Sequence, residues 1–97
     1  MDALTETDFL RVRFFVEQGS VMRLVVQYEA IIDGEYYPVL RYDSSHDQAH
    51  RDILDMRGET TRKAWLNLSY ADALTFALAD VRANWRYYRQ DFIRSAR

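Results

Sequence analysis

The last third of the chain holds the pattern that most restricts the fold. Six large apolar residues recur there at spacings of 4, 3, 4, 3 and 4 residues: Leu74, Leu78, Val81, Trp85, Tyr88 and Phe92. This periodicity predicts one long helix with an apolar stripe about 27 Å long at a rise of 1.5 Å per residue. Ser69 is its predicted N-cap, with Asp72 in the position of a capping-box acid. Such a stripe must pack against another element.

The first third alternates apolar and polar residues, which is typical of strands with one buried face. We predict a strand that starts at Phe9, a turn over residues 18–20 and a second strand over residues 22–32. Asp33-Gly34 follows directly, and this dipeptide favours a two-residue hairpin. The first two long strands and the start of the third are therefore expected to be antiparallel neighbours.

The third predicted strand, residues 35–42, contains Pro38, which cannot donate a ladder hydrogen bond. It therefore places that strand, or that part of it, at an edge, a bulge or a strand end. Shorter strands are predicted over residues 52–56 and 60–66. Connections this short exclude parallel crossovers. The expected architecture is α+β: an antiparallel meander of four to five strands packed against one long C-terminal helix.

Composition limits the class of protein. The length of 97 residues predicts a single domain, over residues 9–97. Residues 1–8 are polar and are predicted to form a flexible N-terminus. The net charge of −2 excludes a globally basic nucleic-acid binder but not a local basic surface. The absence of cysteine excludes disulfides, zinc–thiolate sites and cysteine nucleophiles. With no signal-peptide pattern and no long apolar run, we expect a cytoplasmic protein with no membrane partner and no cofactor.

The candidate site is the polar segment of residues 41–52, which contains both histidines of the chain. Histidine has the unperturbed pKa closest to neutrality, and arginine binds phosphate in a bidentate manner. The pattern is typical of acid–base chemistry on an RNA phosphodiester. The predicted catalytic residues are Arg41, Asp43, His46 and His50, and the predicted binding residues nearby are Tyr42, Arg51 and Asp52.

Three other interpretations of the same segment stay open. Asp43 or Asp52 can complete a His/carboxylate set around a divalent metal, although the His-x-x-x-His spacing suits metal only on a helix, and we assign no metal ligand. The segment can also bind an anion or a partner without catalysis. The third interpretation is an ordinary polar connection between strands in which Asp43 forms an Asx-turn with Ser45.

The helix and the aromatic residues offer further candidate surfaces. Arg82, Arg86 and Arg89 flank the apolar stripe and are predicted to contact a nucleic-acid backbone, or else simply to cover the helix. Trp65 and Trp85 are predicted core anchors. The tyrosines around Pro38 are predicted to cap the rim of the core, or else to stack on bases or form an interface. A long apolar helix also permits self-association, so a homodimer is expected.

The segment also carries a resemblance. Tyr42-Asp43-Ser44-Ser45-His46, followed by Ala49-His50-Arg51-Asp52-Ile53-Leu54-Asp55, resembles small prokaryotic proteins related to the TumE-type toxins of toxin–antitoxin pairs. The resemblance implies a growth-inhibiting protein that an antitoxin neutralises and whose target lies in RNA or translation. It would give functional roles to Arg41, Tyr42, Asp43, His46 and His50.

The leading functional hypothesis is accordingly a toxin-like protein that acts on RNA or translation through the His/Asp/Arg segment. The alternative is a non-catalytic, homodimeric protein-interaction module. The sequence leaves open whether the protein is an enzyme.

Overall fold

The computed structural model describes residues 1–96, so the last residue of the predicted 9–97 domain lies outside the described residues. Six strands precede one helix. Their bounds are β1 Asp2–Ala3, β2 Asp8–Glu17, β3 Ser20–Ile32, β4 Glu35–Asp43, β5 His50–Leu54, β6 Thr60–Trp65 and α1 Tyr70–Ser95.

The six strands form one antiparallel sheet in sequence order, from β1 to β6. The predicted α+β class, the antiparallel meander and the single C-terminal helix are therefore confirmed. The strand count is higher than predicted because Asp2 and Ala3 pair with Leu10 and Phe9 of β2. Flexibility of residues 1–8 stays a prediction, but this segment contributes both a paired strand and the buried Asp8.

The Asp33-Gly34 hairpin has the geometry that its sequence predicts. Asp33 has a φ of 53° and Gly34 a φ of 82°, so both central residues of the turn are left-handed. Two consecutive positive φ values define the turn type whose twist matches that of paired strands. This turn brings β4 against β3 with Ile32 opposite Glu35.

Pro38 lies at a bulge, which was one of its predicted positions. Glu29 of β3 is opposite Pro38 whereas Tyr28 is opposite Leu40, so Val39 is the extra residue. On its other side, β4 pairs with β5 only from Leu40 onward. Pro38 therefore has no β5 neighbour that would need an N–H donor.

The register divides the side chains of the sheet between two faces, since successive residues point to opposite sides. Val26, Tyr42, Arg51 and Ala64 are directly opposed across β3 to β6, and α1 packs over this helix face, mainly on β3 and β4. The opposite side, which we call the open face, has no helix over it among the described residues. The core lies between α1 and the helix face.

Helix α1 begins as predicted, because the Ser69 hydroxyl accepts a hydrogen bond from the N–H of Asp72 at 3.1 Å. Its buried stripe differs from the prediction in the first two turns, where Ala73 and Ala77 face the sheet and Leu74 and Leu78 are only partly buried. Two alanines let the helix lie close to the sheet, which large side chains at the same positions would prevent.

The two tryptophans differ in burial. Trp85 is buried in the core, as predicted. The prediction that Trp65 anchors the core is wrong, since its side chain is 49% exposed on the open face. Its neighbour Ala64 is the β6 residue in the row that faces α1. No helix among the described residues is long and apolar enough to cross a membrane.

Candidate functional site

The polar segment begins where β4 ends. The Asx-turn expected at Asp43 is present: its Oδ1 accepts hydrogen bonds from the Ser45 N–H at 3.0 Å and the Ser45 hydroxyl at 2.7 Å. A 3₁₀ turn over Ser45–Asp47 follows, in which His46 and Asp47 have φ values of 65° and 62°. Left-handed φ is uncommon outside glycine, and the side chain of His46 is exposed on this turn.

The sequence placed His50 in the connection between two strands. In the structure it is instead the first residue of β5. Its side chain is only 1% exposed because Trp65 packs edge-on against the imidazole, with ring centroids 5.2 Å apart. The ring of His46 lies 6.3 Å from it. The structure therefore brings the two predicted histidines together, with only His46 exposed.

The imidazole of His50 is held by polar groups on both sides. Nδ1 lies 3.0 Å from the backbone carbonyl oxygen of Gln48. Nε2 lies 3.0 Å from Asp43 Oδ1 and 3.4 Å from Asp52 Oδ2. The cross-strand pairing accounts for this arrangement, because Asp43 is directly opposite His50 and Asp52 follows two residues later on the same face.

Charged residues continue across the open face from this cluster. Arg41 and Lys63 are the residues directly opposed to Asp52 on its two sides. The Lys63 ammonium lies 3.1 Å from Asp52 Oδ1, and Arg41 donates through Nε to Gln27 at 2.7 Å. The predicted site residues Arg41, Asp43, His46, His50 and Asp52 therefore share one surface.

Tyr42 and Arg51, also predicted to bind, lie on the helix face instead. Tyr42 is fully buried, and its hydroxyl donates to Asp80 Oδ2 of α1 at 2.5 Å. Tyr88 donates to the same oxygen at 2.6 Å, and Arg51 lies 3.4 Å from the Tyr88 hydroxyl. Burial and the bond to Asp80 raise the pKa of Tyr88 to about 12, and they raise the pKa of Tyr42 as well. Both phenols are therefore neutral donors that hold α1 against the sheet.

A cavity of about 470 Å³ opens beside this network, between α1 and the edge strand β6. Three of its lining residues are cationic, Arg51, Arg62 and Lys63. Tyr87 forms part of the wall and is 59% exposed. Arg51 Nε is buried without a hydrogen-bond partner, so one cationic donor at this cavity is unsatisfied by the described residues.

The three helix arginines each have a partner within the fold, and Arg86 and Arg89 line one cavity beside Asp8. Arg89 is used inside the fold, where it donates to Asp8 Oδ1 at 2.9 Å and to the Ile31 carbonyl at 3.1 Å. Arg86 stacks on the Trp85 ring with its guanidinium carbon 4.4 Å from the centroid. Arg82 lies 3.8 Å from Asp2 at the surface.

The sequence prediction missed three residues that line or complete these surfaces, Lys63, Trp65 and Asp80, whereas Tyr87 was expected beside the helix arginines as part of a nucleic-acid contact. Apolar and polar residues do not alternate clearly in β6, so the sequence could not predict on which face of the sheet Lys63 and Trp65 lie. Asp80 is 38 residues from Tyr42, and no local motif indicates such a contact. For Tyr87 there was a signal, since it lies immediately beside the apolar stripe of α1.

The structure thus defines a class: a six-stranded antiparallel meander with one packed helix and a His/Asp cluster on its open face. A family model, "Domain of unknown function (DUF7718)", matches residues 1–97. The chain therefore belongs to the DUF7718 family. A search of curated proteins and a search of solved structures found no match. The comparisons bring no link to TumE-type toxins, and that resemblance stays a prediction.

Proposed function

We propose that this protein binds single-stranded RNA along the edge of the sheet formed by β6. The contact surface, which we call the β6 edge surface, wraps around this edge: Arg51, Arg62 and Tyr87 lie on the side of α1, and Lys63 and Trp65 lie on the open face. The observation that carries the proposal is the cavity of about 470 Å³ lined by three cations and an exposed tyrosine, with the half-exposed Trp65 on the same strand.

The chemistry of this surface suits a single strand. Aromatic side chains stack on unpaired bases, and nearby cations neutralise the phosphates. The Lys63 ammonium lies over the Trp65 ring, 5.4 Å from its centroid, and is paired with Asp52, so it must move off the ring to pair with a phosphate while a base stacks on Trp65. Arg62 is paired with Asp91 at 3.2 Å, but both side chains are solvent-accessible, so the exchange of Asp91 for a phosphate costs little.

The proposal includes cleavage of the bound strand beside the histidine pair. His50 packs on Trp65, and His46 lies next to His50 at the surface. In this step the exposed imidazole of His46 accepts the proton of a ribose 2′-hydroxyl as that oxygen attacks the adjacent phosphorus; the P–O5′ bond breaks, the 5′-oxygen takes a proton from water, and a 2′,3′-cyclic phosphate remains. His50 is too buried to touch RNA and instead positions Trp65 and the turn. Such cleavage would inhibit growth, in agreement with the toxin-like role that the resemblance implies.

Fluorescence anisotropy with a short labelled single-stranded RNA tests the binding step. We expect Trp65→Ala to weaken binding about ten-fold, since one base–aromatic stack contributes roughly 1–3 kcal/mol. Tyr36→Ala is the matched control, because Tyr36 is equally exposed but lies on β4 away from the β6 edge surface. Equal affinities of Trp65→Ala and the native chain would refute the surface.

A second assay separates cleavage from binding. His46→Ala should bind the labelled RNA as the native chain does, and should lose cleavage on a denaturing gel. Native protein that binds but leaves the RNA intact would refute the cleavage step and leave an RNA-binding module.

A second candidate function, self-association, is favoured by a different observation. Residues 14–23, the β2–β3 arm, extend beyond the end of β4 and expose Phe14, Phe15 and Val16. A two-stranded ribbon is marginal in water without further packing. A second copy offers the same apolar residues to cover it, whereas the stripe on α1, from which the dimer was predicted, is covered by the sheet. Light scattering should show a dimer that Phe14→Arg makes monomeric, and a monomeric native chain would refute it.

A further inference from the structure

We propose that Asp43, His50 and Asp52 form a binding site for a divalent transition metal, of which Zn²⁺ and Mn²⁺ are the best candidates. One nitrogen or oxygen atom from each of these residues lies within 4.8 Å of the others. The site does not depend on RNA binding, because none of its three residues belongs to the β6 edge surface.

The orientation of the His50 ring directs Nε2 into this cluster. A backbone carbonyl only accepts hydrogen bonds, so the contact of 3.0 Å between Nδ1 and the Gln48 carbonyl requires the proton on Nδ1. Nε2 is the ring nitrogen left to bind a metal ion, and it faces Asp43 and Asp52. A carbonyl that accepts a hydrogen bond from the other ring nitrogen orients a metal-binding histidine in this way.

Two carboxylates this close to one imidazole nitrogen are held together by a shared positive charge, which is either a proton on Nε2 or a metal ion bound in its place. Nε2 is 3.0 Å from Asp43 Oδ1 and 3.4 Å from Asp52 Oδ2. Donors about 2.1 Å from one metal ion lie roughly 3.0 Å apart in octahedral geometry and roughly 3.4 Å apart in tetrahedral geometry. The two separations from Nε2 therefore fall in the range of neighbouring donors around one ion, and the two carboxylates lie within 4.8 Å of each other.

An independent observation concerns Asp52. Its side chain is only 8% exposed, with Oδ2 toward His50 and Oδ1 toward Lys63, and among the described residues the buried Oδ1 has this ion pair but no hydrogen bond. A buried, incompletely satisfied carboxylate is costly unless a cation compensates it. Lys63 Nζ, 3.1 Å from that oxygen, supplies part of the compensation from a partly exposed side chain. A metal ion would be the second cation, and Lys63 would oppose it electrostatically.

The donor set selects the class of metal. One imidazole nitrogen with two carboxylates suits Zn²⁺ or Mn²⁺ better than Ca²⁺, which takes oxygen ligands alone. The bonds from Ser45 to Asp43 Oδ1 hold this carboxylate in place before a metal arrives. Asp43 is also the most accessible of the three side chains, so it offers the path of entry.

The test uses the full chain, stripped with a chelator and titrated with ZnCl₂ or MnCl₂. At a hundred-fold excess over Kd, binding should raise the Tm by about 10 °C or more. MgCl₂ and CaCl₂ serve as comparisons. If none of the four salts raises the Tm, the site is refuted, and a rise with CaCl₂ or MgCl₂ alone refutes the choice of metal.

Isosteric variants locate the ion. Asp43→Asn and Asp52→Asn should each weaken metal binding at least ten-fold in calorimetry, whereas Asp47→Asn in the same turn should leave the affinity unchanged. Lys63→Gln should tighten metal binding several-fold, because it removes a positive charge beside the ion, and should weaken RNA binding. The two effects have opposite signs, so the metal site and the RNA surface can be refuted independently. Equal affinity in Asp52→Asn and Asp47→Asn would overturn the site.

Nuclear magnetic resonance gives a readout that does not depend on variant folding. In the native chain labelled with ¹⁵N-histidine, Zn²⁺ should shift the Nε2 resonance of His50 and leave Nδ1 protonated. A shift confined to His46 would place the ion elsewhere and overturn the proposal.

Discussion

The contact of Asp8 with Arg89 joins the start of the first long strand to the last third of the helix, and Asp8→Ala should break that connection. The Asp8 side chain is 3% exposed and Arg89 donates to it at 2.9 Å. Thr5, Thr7 and Tyr28 also donate to this carboxylate, at 2.6, 2.9 and 2.5 Å. All four donors lose their acceptor when the carboxylate is removed.

The size of the loss follows from burial. Removal of one partner from a buried ion pair costs about 3–5 kcal/mol, because the other charge is left unpaired. Since Arg89 is 26% exposed, water can partly solvate it, and we expect about 3 kcal/mol. That corresponds to a fall in Tm of roughly 12–24 °C for a domain of this size. Relative to a total stability of about 5–15 kcal/mol, the loss is large.

Urea unfolding followed by circular dichroism measures this free energy. Asp2→Ala is the control, since Asp2 is exposed and lies 3.8 Å from an exposed Arg82. It should change the free energy of unfolding by less than about 0.5 kcal/mol. A loss below about 1 kcal/mol for Asp8→Ala would show that the buried contact does not fasten the helix to the strand, and would refute the reasoning.

Three further predictions concern the same fold. The free energy of unfolding should fall in acid. Burial opposes ionisation of Asp8, but hydrogen bonds from Thr5, Tyr28 and Thr7 and the charge of Arg89 lower its pKa below the ordinary 3.8. The stabilisation is therefore present above pH 3.8 and is lost as the pH drops through the folded pKa. Urea midpoints at a series of pH values measure this loss, and an equal acid dependence in Asp8→Ala would contradict it. Ala77→Leu should destabilise the chain by about 1–3 kcal/mol because Ala77 is fully buried against the sheet, whereas Ala79→Leu on the exposed side should be nearly neutral in the same urea assay; equal effects would disprove the close approach of α1. Tyr42→Phe should cost about 1.5–3 kcal/mol, since it removes a buried bond to Asp80, and Tyr37→Phe, whose hydroxyl bonds to Glu35 at the surface, should cost less; the reverse order of thermal stabilities would argue against the network.

Most of the fold could be predicted from local sequence patterns. The alternation up to residue 32, Asp33-Gly34, Pro38 and the Ser69 cap each depend on interactions within a few residues, and each was readable. The rotation of the helix was not, because Leu74 and Leu78 repeat with the same period as Ala73 and Ala77. Only the space available over the sheet decides which pair faces inward.

The sequence predicted which residues form the site but not how they are arranged. Segment 41–52 contains the residues that meet around His50, yet β5 starts two residues earlier than expected, and this buries His50. The positions of Lys63 and Trp65 depend on the register of β6, which shifts between Ile53 and Leu54. A one-residue change in register moves every later side chain to the other face, so a sequence pattern without alternation could not place them.

The most direct test of the central claim, that single-stranded RNA binds along the β6 edge surface, is a titration of the ¹⁵N-labelled chain with a short single-stranded RNA followed by amide chemical shifts. We predict shifts concentrated in residues 60–65, in the Trp65 indole N–H and around Tyr87, with little change in the β2–β3 arm. Shifts confined to the arm, or spread evenly over the exposed arginines of α1, would contradict the account.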